Sequence, residues 1–291
     1  MNNSHSMSKK YSARVFLVGN FKGGTGKSTA AQMLGFVNAY YRKRKTLLID
    51  LDPQHNASDV MLYTAENMGN NKYSDLEELP KTIWNVLVDG SLDGAVLPLF
   101  DNFDLIAGDI AMADYSDLMS AQYPNDKLAQ FKYFVDTLNP LREQYDDIFI
   151  DVPPSLGTEV RSAMYFADYV AIMLQTQPKS LRGAADYISY MEFFSDRYNA
   201  HLKVAGIVPF MLDQKTSTEN YSYNQAKEMY GDNLLSTIVY RMARLIRYDE
   251  TGITMDRKKD GDLMLVDKTP QQLFLNILDE LNEHVSWFEE E

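Results

Sequence analysis

Short apolar runs alternate with longer amphipathic segments along most of the chain. Several of these runs are apolar at nearly every position, which is typical of strands in a parallel sheet whose two faces are both covered by helices. Their β-branched and aliphatic residues predict seven strands, over Arg14–Val18, Thr46–Ile49, Phe103–Ile106, Asp147–Ile150, Tyr169–Leu174, Val204–Val208 and Ser236–Tyr240.

The segments between these strands carry the apolar spacing of helices. They predict helices over Ser28–Tyr41, Asp126–Gln144, Thr158–Phe166, Leu181–Tyr198 and Ser217–Tyr230. This alternation predicts an α/β fold with a doubly wound, mostly parallel sheet flanked by helices on both faces. The polar stretch Tyr63–Pro80 predicts a loop or insertion. No repeat or linker divides the chain, so we expect a flexible N-terminal segment over residues 1–13 and a single domain over residues 14–291.

The final segment, Thr269–Glu291, begins with a Thr-Pro pair that signals a helix start. Its apolar residues recur at intervals of three and four, at Leu273, Phe274, Ile277, Leu278, Leu281 and Val285. An amphipathic membrane anchor would carry Lys or Arg on its polar face, whereas this segment has six acidic residues and neither basic type. We therefore expect a helix that packs on the sheet, and no membrane partner.

Composition and charge exclude several classes of function. The 291 residues include 28 Lys and Arg against 41 Asp and Glu, which gives a net charge of −13. Nucleic acid could therefore be bound only through a local basic patch. The absence of cysteine excludes disulfides, thiolate catalysis and cysteine-ligated metal clusters. The sequence contains no signal-peptide core and no membrane-spanning stretch, so we expect a cytoplasmic protein.

The strongest chemical signal is the segment Arg14–Thr29, which reads RVFLVGNFKGGTGKST. Its turn contains three glycines, Gly23, Gly24 and Gly26. Without Cβ atoms they allow the backbone to curl and to point several N–H groups at one phosphate chain. The helix that follows aims its positive dipole end at the same anion. Lys27 can reach the β- and γ-phosphates and Ser28 can ligate Mg²⁺, so the segment predicts a phosphate loop.

Acidic residues follow two of the predicted strands. Asp50 and Asp52 follow the second strand in L-L-I-D-L-D-P-Q, and Asp151 follows the fourth in I-F-I-D-V-P-P. Phosphoryl transfer depends on placing a metal ion and an attacking water, and carboxylates perform both tasks. Because open parallel sheets bind ligands at the carboxyl ends of their strands, we expect these side chains to lie near the phosphate loop.

A second lysine, Lys22, lies just inside the loop, and Phe21 stands where the general phosphate-loop pattern has glycine. The resulting K-G-G-x-G-K-S-T pattern resembles the ParA/MinD family of P-loop ATPases, which carry a deviant Walker A motif. The resemblance covers most of residues 14–285. It is to the short ParA type, without an N-terminal DNA-reading domain. It implies that ATP and Mg²⁺ are the cofactors, and that Lys22 reaches across an ATP-dependent homodimer to the nucleotide held by the other subunit.

The resemblance also implies roles for particular residues. The expected catalytic residues are Lys22, Lys27, Asp50 and Asp52, with Asp52 orienting the attacking water. The expected metal site combines Ser28, Asp50 and Asp151, with Asp151 holding Mg²⁺ through water. The expected nucleotide-binding residues are Lys22, Gly23, Gly24, Thr25, Gly26, Lys27, Ser28, Thr29, Pro209, Phe210 and Met211. His55 stands where the family's D-P-Q-x-N-A-S stretch usually has glycine, although histidine adopts a positive φ less easily.

Basic residues are concentrated in one C-terminal segment although the chain is acidic. Residues 241–259 hold six basic and three acidic residues, a net charge of +3. The resemblance to ParA proteins implies that Lys215, Arg241, Arg244 and Arg247 bind DNA. The implied function is that of a DNA-partition ATPase on the nucleoid. Its ATP-bound dimers would bind double-stranded DNA without sequence preference, and a ParB-like centromere-binding protein would stimulate hydrolysis.

Two alternative functions share the nucleotide-binding motifs. A MinD-like regulator of cell division would cycle on a membrane, and the acidic final segment argues against it. A metabolic enzyme on the same scaffold would be a nitrogenase-reductase-like protein or an amide-forming ligase. The absence of cysteine excludes the first of these enzymes, and no residue of the sequence indicates the substrate pocket that the second would need.

Overall fold

The apolar runs of the sequence form the strands of one central sheet. The computed structural model describes residues 12–20, 22–73, 79–175, 178–212 and 217–289. The strands in these ranges are β1 (Arg14–Gly19), β2 (Thr46–Asp50), β3 (Leu97–Phe100), β4 (Phe103–Ile106), β5 (Asp147–Asp151), β6 (Tyr169–Gln175), β7 (Lys203–Leu212) and β8 (Val239–Tyr240).

Helices connect the strands and cover the sheet. In the described ranges they are α1 (Lys27–Tyr40), α2 (Asn56–Asn67), α3 (Ile83–Asp89), α4 (Tyr115–Gln122), α5 (Lys127–Leu138), α6 (Thr158–Phe166), α7 (Pro178–Tyr198), α8 (Ser217–Tyr230), α9 (Ala243–Thr251) and α10 (Leu265–Glu289). Short 3₁₀ turns occur at Ile110–Asp114, Asn139–Glu143 and Gly231–Asn233. Within the part of the chain that the structure describes, no helix is both long enough and apolar enough to cross a bilayer.

The strands lie in the order β3-β4-β2-β5-β1-β6-β7-β8. Neighbouring strands are parallel, except that β3 runs antiparallel to β4. This order confirms the predicted doubly wound, mostly parallel α/β fold. Asp151 of β5 pairs in register with Asp50 of β2 on one side and with Val18 of β1 on the other. The carboxyl ends of these three central strands therefore lie side by side, at the edge where such sheets bind ligands.

An apolar layer covers each face of the sheet. Helices α1, α2, α9 and α10 pack on the face that carries Phe16 and Val18 of β1. Helices α3 to α8 pack on the opposite face, which carries Val15 and Leu17 of the same strand. Successive side chains of a strand point to opposite faces, so a central strand contributes to both layers. This arrangement explains why the central strands are apolar at consecutive positions.

The structure departs from the sequence pattern in several helices that cover the sheet and in one edge strand. The pattern predicts the bounds of α6 and α8, but it does not predict α2, α3, α4, α9 or the edge strand β3. The expected loop at Tyr63–Pro80 is wrong in its first part, since α2 continues to Asn67. The predicted strand Ser236–Tyr240 keeps its last two residues in β8. Residues 1–11 of the expected N-terminal segment lie outside the described residues.

The last helix, α10, begins at Leu265, four residues before the predicted start at Thr269. The reason is a contact distant in sequence. Asp267, in the first turn of α10, is completely buried and accepts hydrogen bonds from Arg244 Nε (2.7 Å) and Tyr248 Oη (2.7 Å) of α9. These bonds hold the first turn of α10 in place and leave Pro270 inside the helix.

Asp147, at the start of β5, is a buried anchor at the amino edge of the sheet. Its carboxylate accepts hydrogen bonds from Arg14 Nε at 2.7 Å, from Asn38 Nδ2 at 2.9 Å and from Arg44 Nε. Burial raises the pKa of Asp147, but the hydrogen bonds from Arg44 and Arg14 outweigh burial and leave the pKa below its usual value. The cluster therefore stabilises the fold through an ionised aspartate.

We expect Asp147→Asn to lower the free energy of unfolding by about 3 kcal/mol at neutral pH, because two arginines lose a buried partner. The pKa of Asp147 is lower in the folded than in the unfolded chain, where it is about 3.9. The stabilisation is therefore complete above that pH and is lost as the pH falls through the folded pKa. Urea unfolding from pH 7 to pH 3 checks this. Asp136→Asn, at an exposed position of α5, serves as control. The prediction would be contradicted if the free energy of unfolding had the same pH profile in Asp147→Asn as in the wild type.

Candidate nucleotide-binding site

The loop between β1 and α1 is shaped by two glycines in left-handed backbone conformations. Gly24 has φ +69° and Gly26, which directly precedes α1, has φ +85°. A Cβ atom on Gly26 would lie 2.0 Å from Cε1 of Phe210, which is buried at the end of β7. The position therefore excludes every side chain, for reasons of both conformation and space. The loop turns sharply here and presents the first N–H groups of α1 to the cleft.

Lys27, the first residue of α1, is 6% exposed, and its Nζ atom donates a hydrogen bond of 3.4 Å to the carbonyl of Lys22. Its side chain thus folds back over the loop. Burial lowers the pKa of Lys27, whereas the nearby carboxylates of Asp151 and Asp52 act in the opposite direction. The ammonium group is in position to meet an anion that enters the loop.

Lys22 is held at the rim of the loop by two side chains that the sequence analysis missed. Asn20, directly after β1, accepts a hydrogen bond of 3.0 Å from the Lys22 N–H. Gln175, the last residue of β6, accepts one of 3.2 Å from Lys22 Nζ and donates one of 2.6 Å to the Gly24 carbonyl. Their sequence signal is weak: each is a polar residue at the carboxyl end of an apolar strand, where ligands bind in this fold.

Asp50 is completely buried at the end of β2. It accepts hydrogen bonds from the Ser58 N–H (2.9 Å), from Ser58 Oγ (2.7 Å) and from the Asp52 N–H (3.0 Å). Burial raises the pKa of Asp50 to about 6, although the hydrogen bonds from Ser58 and Asp52 act to lower it. The Gly108 N–H donates in turn to Ser58 Oγ at 2.8 Å. Ser58, at the start of α2, is therefore a third polar residue, after Asn20 and Gln175, whose positioning role the sequence did not indicate.

Asp151 is also completely buried, at the end of β5. Within the described ranges, neither of its carboxylate oxygens accepts a hydrogen bond. Burial and the neighbouring charge of Asp50 raise the pKa of Asp151 well above its usual value, while Ser28 and Lys27 act to lower it. A buried carboxylate whose oxygens lack a well-formed hydrogen bond, together with a nearby serine hydroxyl, is a donor set that suits a hard divalent cation such as Mg²⁺. The predicted metal residues Ser28, Asp50 and Asp151 are thus brought together.

Asp52 lines the cleft and is less buried than the other two aspartates. Its carboxylate accepts a hydrogen bond of 2.9 Å from the Gln54 N–H, and its carbonyl accepts one of 2.8 Å from the His55 N–H. His55 has φ +44° and directly precedes α2. The turn after Asp52 therefore keeps the left-handed conformation that a glycine would adopt, and histidine adopts it with strain. The His55 ring lies 3.3 Å from the carboxylate of Asp59, one turn into α2.

The phosphate loop and Asp52 line one open cleft of about 530 Å³. Its walls include all the predicted loop residues from Gly23 to Thr29. Three helices contribute further polar side chains that the sequence analysis did not select, among them Gln32 of α1, Asp59 of α2 and Asp249 of α9. A cleft of this size is within the range of small-molecule and cofactor sites.

The residues expected to contact the base or DNA have different surroundings. Pro209 and Phe210 are buried in β7, and Lys215 and the Met211 side chain lie outside the described residues. Arg241 and Arg247 are exposed. Arg244 differs, since its side chain is only 15% exposed and its guanidinium donates to Asp267 and Asp256, each at 2.7 Å. These ion pairs raise its pKa and fix its position. This geometry argues against the predicted DNA contact of Arg244, because its Nε and Nη2 atoms already donate to carboxylates.

A phosphate loop at the carboxyl edge of a doubly wound sheet, beside buried carboxylates at the ends of β2 and β5, defines a P-loop nucleoside triphosphatase. The AAA_31 family model, an AAA domain, matches residues 13–204. The chain therefore belongs to this P-loop family, and it is also similar to the partition proteins Soj and ParA.

Relatives of similar length align with most of this chain. An uncharacterized protein of Pseudomonas putida is 31% identical over 264 residues, which cover 86% of this chain and 91% of the relative. The sporulation initiation inhibitor protein Soj of Bacillus subtilis is 28% identical over 80% of this chain and 86% of its own. The chromosome partitioning protein ParA of Myxococcus xanthus is 29% identical over 85% and 83%.

Solved structures share the fold. The ATP complex of a Cyanothece McdA variant has a TM-score of 0.73 at 17% identity and covers 94% of this chain and 96% of McdA. A Borrelia burgdorferi protein named for plasmid partition, bound to AMPPNP, has a TM-score of 0.69 at 22% identity over 93% and 99%. Cobyrinic acid a,c-diamide synthase of Mycobacterium smegmatis, with an ATP analogue and magnesium, has a TM-score of 0.65 at 25% identity over 82% and 92%.

We expect Gly26→Ala to weaken the binding of a fluorescent ATP analogue by about a hundredfold or more. The added methyl group overlaps Phe210 and strains the turn that aims the N–H groups of α1. Fluorescence titration checks this. Gly231→Ala is the matched control, since Gly231 also has a positive φ (+53°) but a methyl group added there would meet no atom within 4 Å. Unchanged affinity in Gly26→Ala would contradict the assignment of the cleft.

Proposed function

We propose that the chain is a ParA-like DNA-partition ATPase. It binds Mg²⁺-ATP in the cleft, forms a dimer that encloses the nucleotides, binds double-stranded DNA without sequence preference, and hydrolyses ATP when a ParB-like centromere-binding protein stimulates it. The observation that carries the proposal is the pair of lysines on one loop, with Lys27 buried beside Asp151 and Lys22 held at the rim by Gln175. Membership of the P-loop family and similarity to Soj and ParA support the same function.

The site offers separate groups for the phosphates and for the cation of Mg²⁺-ATP. The loop N–H groups and Lys27 would hold the phosphates, and Ser28 with Asp151 would hold the cation. When bound, Mg²⁺ neutralises charge that develops on the phosphoryl oxygens. Asp50 would not bind the cation directly, because its oxygens already accept three hydrogen bonds. It would accept hydrogen bonds from the water around the cation through its remaining lone pairs.

Asp52 is the candidate for orienting the attacking water. Of Asp50, Asp52 and Asp151, it is the one that solvent reaches, and its backbone and side chain are both fixed by the turn over Gln54 and His55. A carboxylate held in this way can accept a hydrogen bond from water without a further loss of its own conformational entropy. The strained φ of His55 fits a turn that must stay in one conformation.

DNA binding would use the exposed arginines Arg241 and Arg247, at either end of a short stretch that includes the start of α9. Their charges belong to a segment of net charge +3 in a chain of net charge −13. Lys215 stays in the proposal as a further phosphate contact. Arg244 does not, because its guanidinium holds α9 to α10 through Asp267. Such an arrangement binds phosphates without reading bases, which is the kind of contact that a nucleoid-bound partition ATPase requires.

The membrane-cycling alternative is less favoured because of the position of α10. Five residues of the predicted apolar stripe are at most 1% exposed: Phe274, Ile277, Leu278, Leu281 and Val285. They pack in the same apolar layer as α1, so the stripe is already occupied by the sheet and its helices. The predicted stripe is therefore not free to bind a lipid surface.

We expect ATP to convert the wild-type chain from monomer to dimer, and Lys22→Ala to bind ATP but stay monomeric, because its ammonium would contact the nucleotide of the other subunit. Lys27→Ala should lose both properties. Light scattering after size exclusion, with a non-hydrolysable ATP analogue, measures the mass. Lys132→Ala on α5 is the control for removal of an exposed lysine. A dimer of Lys22→Ala, or an ATP-loaded wild type that stays monomeric, would refute the proposed role.

Retention on non-specific duplex DNA is expected with the ATP analogue and not with ADP. Changing both Arg241 and Arg247 to alanine should weaken it and lower the slope of log K against log salt by about two. The control variant replaces Lys132 and Arg197, which are exposed on α5 and α7. Unchanged retention by the Arg241 and Arg247 variant would show that the DNA surface lies elsewhere, and capture by anionic vesicles instead of DNA would favour the membrane-cycling function.

A further inference from the structure

A second cavity, of about 370 Å³, lies at the opposite end of α1 from the phosphate loop. Helix α1 has 14 residues, so its last turn is roughly 20 Å from Lys27. The cavity is lined there by Tyr40 and Tyr41, whose rings meet edge to face with centroids 5.0 Å apart. The cavity shares no lining residue with the nucleotide cleft, so the proposed nucleotide chemistry does not account for it.

The opposite wall of the cavity is a tight hairpin before α10. Arg257 and Leu263 form an antiparallel bridge, and Lys258 and Asp262 are joined through a backbone hydrogen bond of 2.8 Å. The base of the hairpin is fixed as well, because the Met264 N–H donates to the Asp256 carbonyl at 2.7 Å. Asp256 also binds Arg244 of α9. The cavity therefore lies between two braced elements of the fold.

Positive charge surrounds the cavity. Arg257, Lys258 and Lys268 line it, and Asp262 is the acidic residue of the lining. In the ranges that the structure describes, none of the three cations forms an ion pair with a carboxylate. A local excess of positive charge on a chain of net charge −13 favours an acidic ligand.

Exposed aliphatic side chains extend this surface beyond the cavity. Met264, Leu265 and Val266 follow one another at the start of α10 and are 42%, 69% and 51% exposed. Leu265 lines the cavity, so the apolar surface begins inside it and continues outside. Contiguous exposed apolar residues are typical of interaction sites. A ligand that covers them all must be longer than the cavity is wide.

We infer that this surface, formed by Tyr40, Tyr41, Arg257, Lys258, Leu265 and Lys268, binds an acidic amphipathic segment of a partner protein. One apolar side chain of that segment enters the cavity beside the tyrosines, and its carboxylates meet the three cations. Its next apolar residues cover Leu265 and Val266. Such a segment matches both the concave apolar pocket and the cationic rim. The phosphate backbone of DNA would leave the aliphatic residues unused, and a flat bilayer surface would leave the cavity unfilled.

Fluorescence anisotropy tests the inference with two labelled peptides of about 18 residues, long enough for a few helical turns. One has leucine and phenylalanine on one helical face and glutamate on the other, and the second has lysine in place of every glutamate. The full chain is compared with Lys258→Glu combined with Lys268→Glu, and with Leu265→Ser combined with Val266→Ser. Lys132→Glu combined with Lys227→Glu is the control of equal charge change, on α5 and α8.

The acidic peptide is expected to bind the wild type and the control equally, and to lose about tenfold or more in affinity for each of the two surface variants. Circular dichroism and the thermal midpoint of each variant establish that it is folded. Binding of the acidic peptide no tighter than the lysine peptide, or equal binding to all variants, would overturn the inference. The inference would also be overturned if the serine variant lost binding to duplex DNA or to phosphatidylglycerol vesicles but kept its affinity for the acidic peptide.

Discussion

Two aspartates face each other in the interior of this protein at the point where the central strands end. Asp50 and Asp151 are paired in register on β2 and β5, and both are completely buried. Two like charges in such a place are unfavourable unless other groups compensate them. Ser58 and the backbone compensate Asp50, whereas Asp151 has the buried ammonium of Lys27 nearby and, within the described ranges, no hydrogen bond. The fold thus leaves the buried Asp151, whose charged form a cation would stabilise, beside a loop that is shaped for phosphates.

The strand ends and the loop could be predicted from the sequence because local patterns determine them. Consecutive apolar positions indicate buried parallel strands, and glycines followed by Lys27 and Ser28 indicate the phosphate loop. The polar residues that position these groups could not be predicted in the same way. Gln175 reaches Lys22 from a strand more than 150 positions away in the chain, and Ser58 supports Asp50 from the start of α2. A single polar residue at a strand end has no spacing that distinguishes it from a solvated one.

The backbone conformation could be predicted where the residue type restricts it. Residue preference predicted it wrongly where contacts in the fold override that preference. Histidine at position 55 disfavours a positive φ, yet the turn after Asp52 has φ +44° there. The N–H of His55 donates to the Asp52 carbonyl and its ring lies beside Asp59, so contacts on both sides support the strained residue. The antiparallel strand β3 is a similar case. Leu97 and Leu99 are buried while Pro98 between them is exposed, and the strand forms by pairing with β4.

Arg244 shows why a basic residue in a positive segment need not bind a ligand. Its Nε and Nη2 atoms donate to Asp267 of α10 and to Asp256 before the hairpin, so one guanidinium joins α9, α10 and the wall of the second cavity. A lysine could not replace it, because an ammonium is a point charge without the planar fork that reaches two carboxylates. Helix α9 also places Asp249 in the nucleotide cleft and Arg247 at the surface. The ion pairs of Arg244 therefore fix the helix that carries both Asp249 of the cleft and the exposed Arg247.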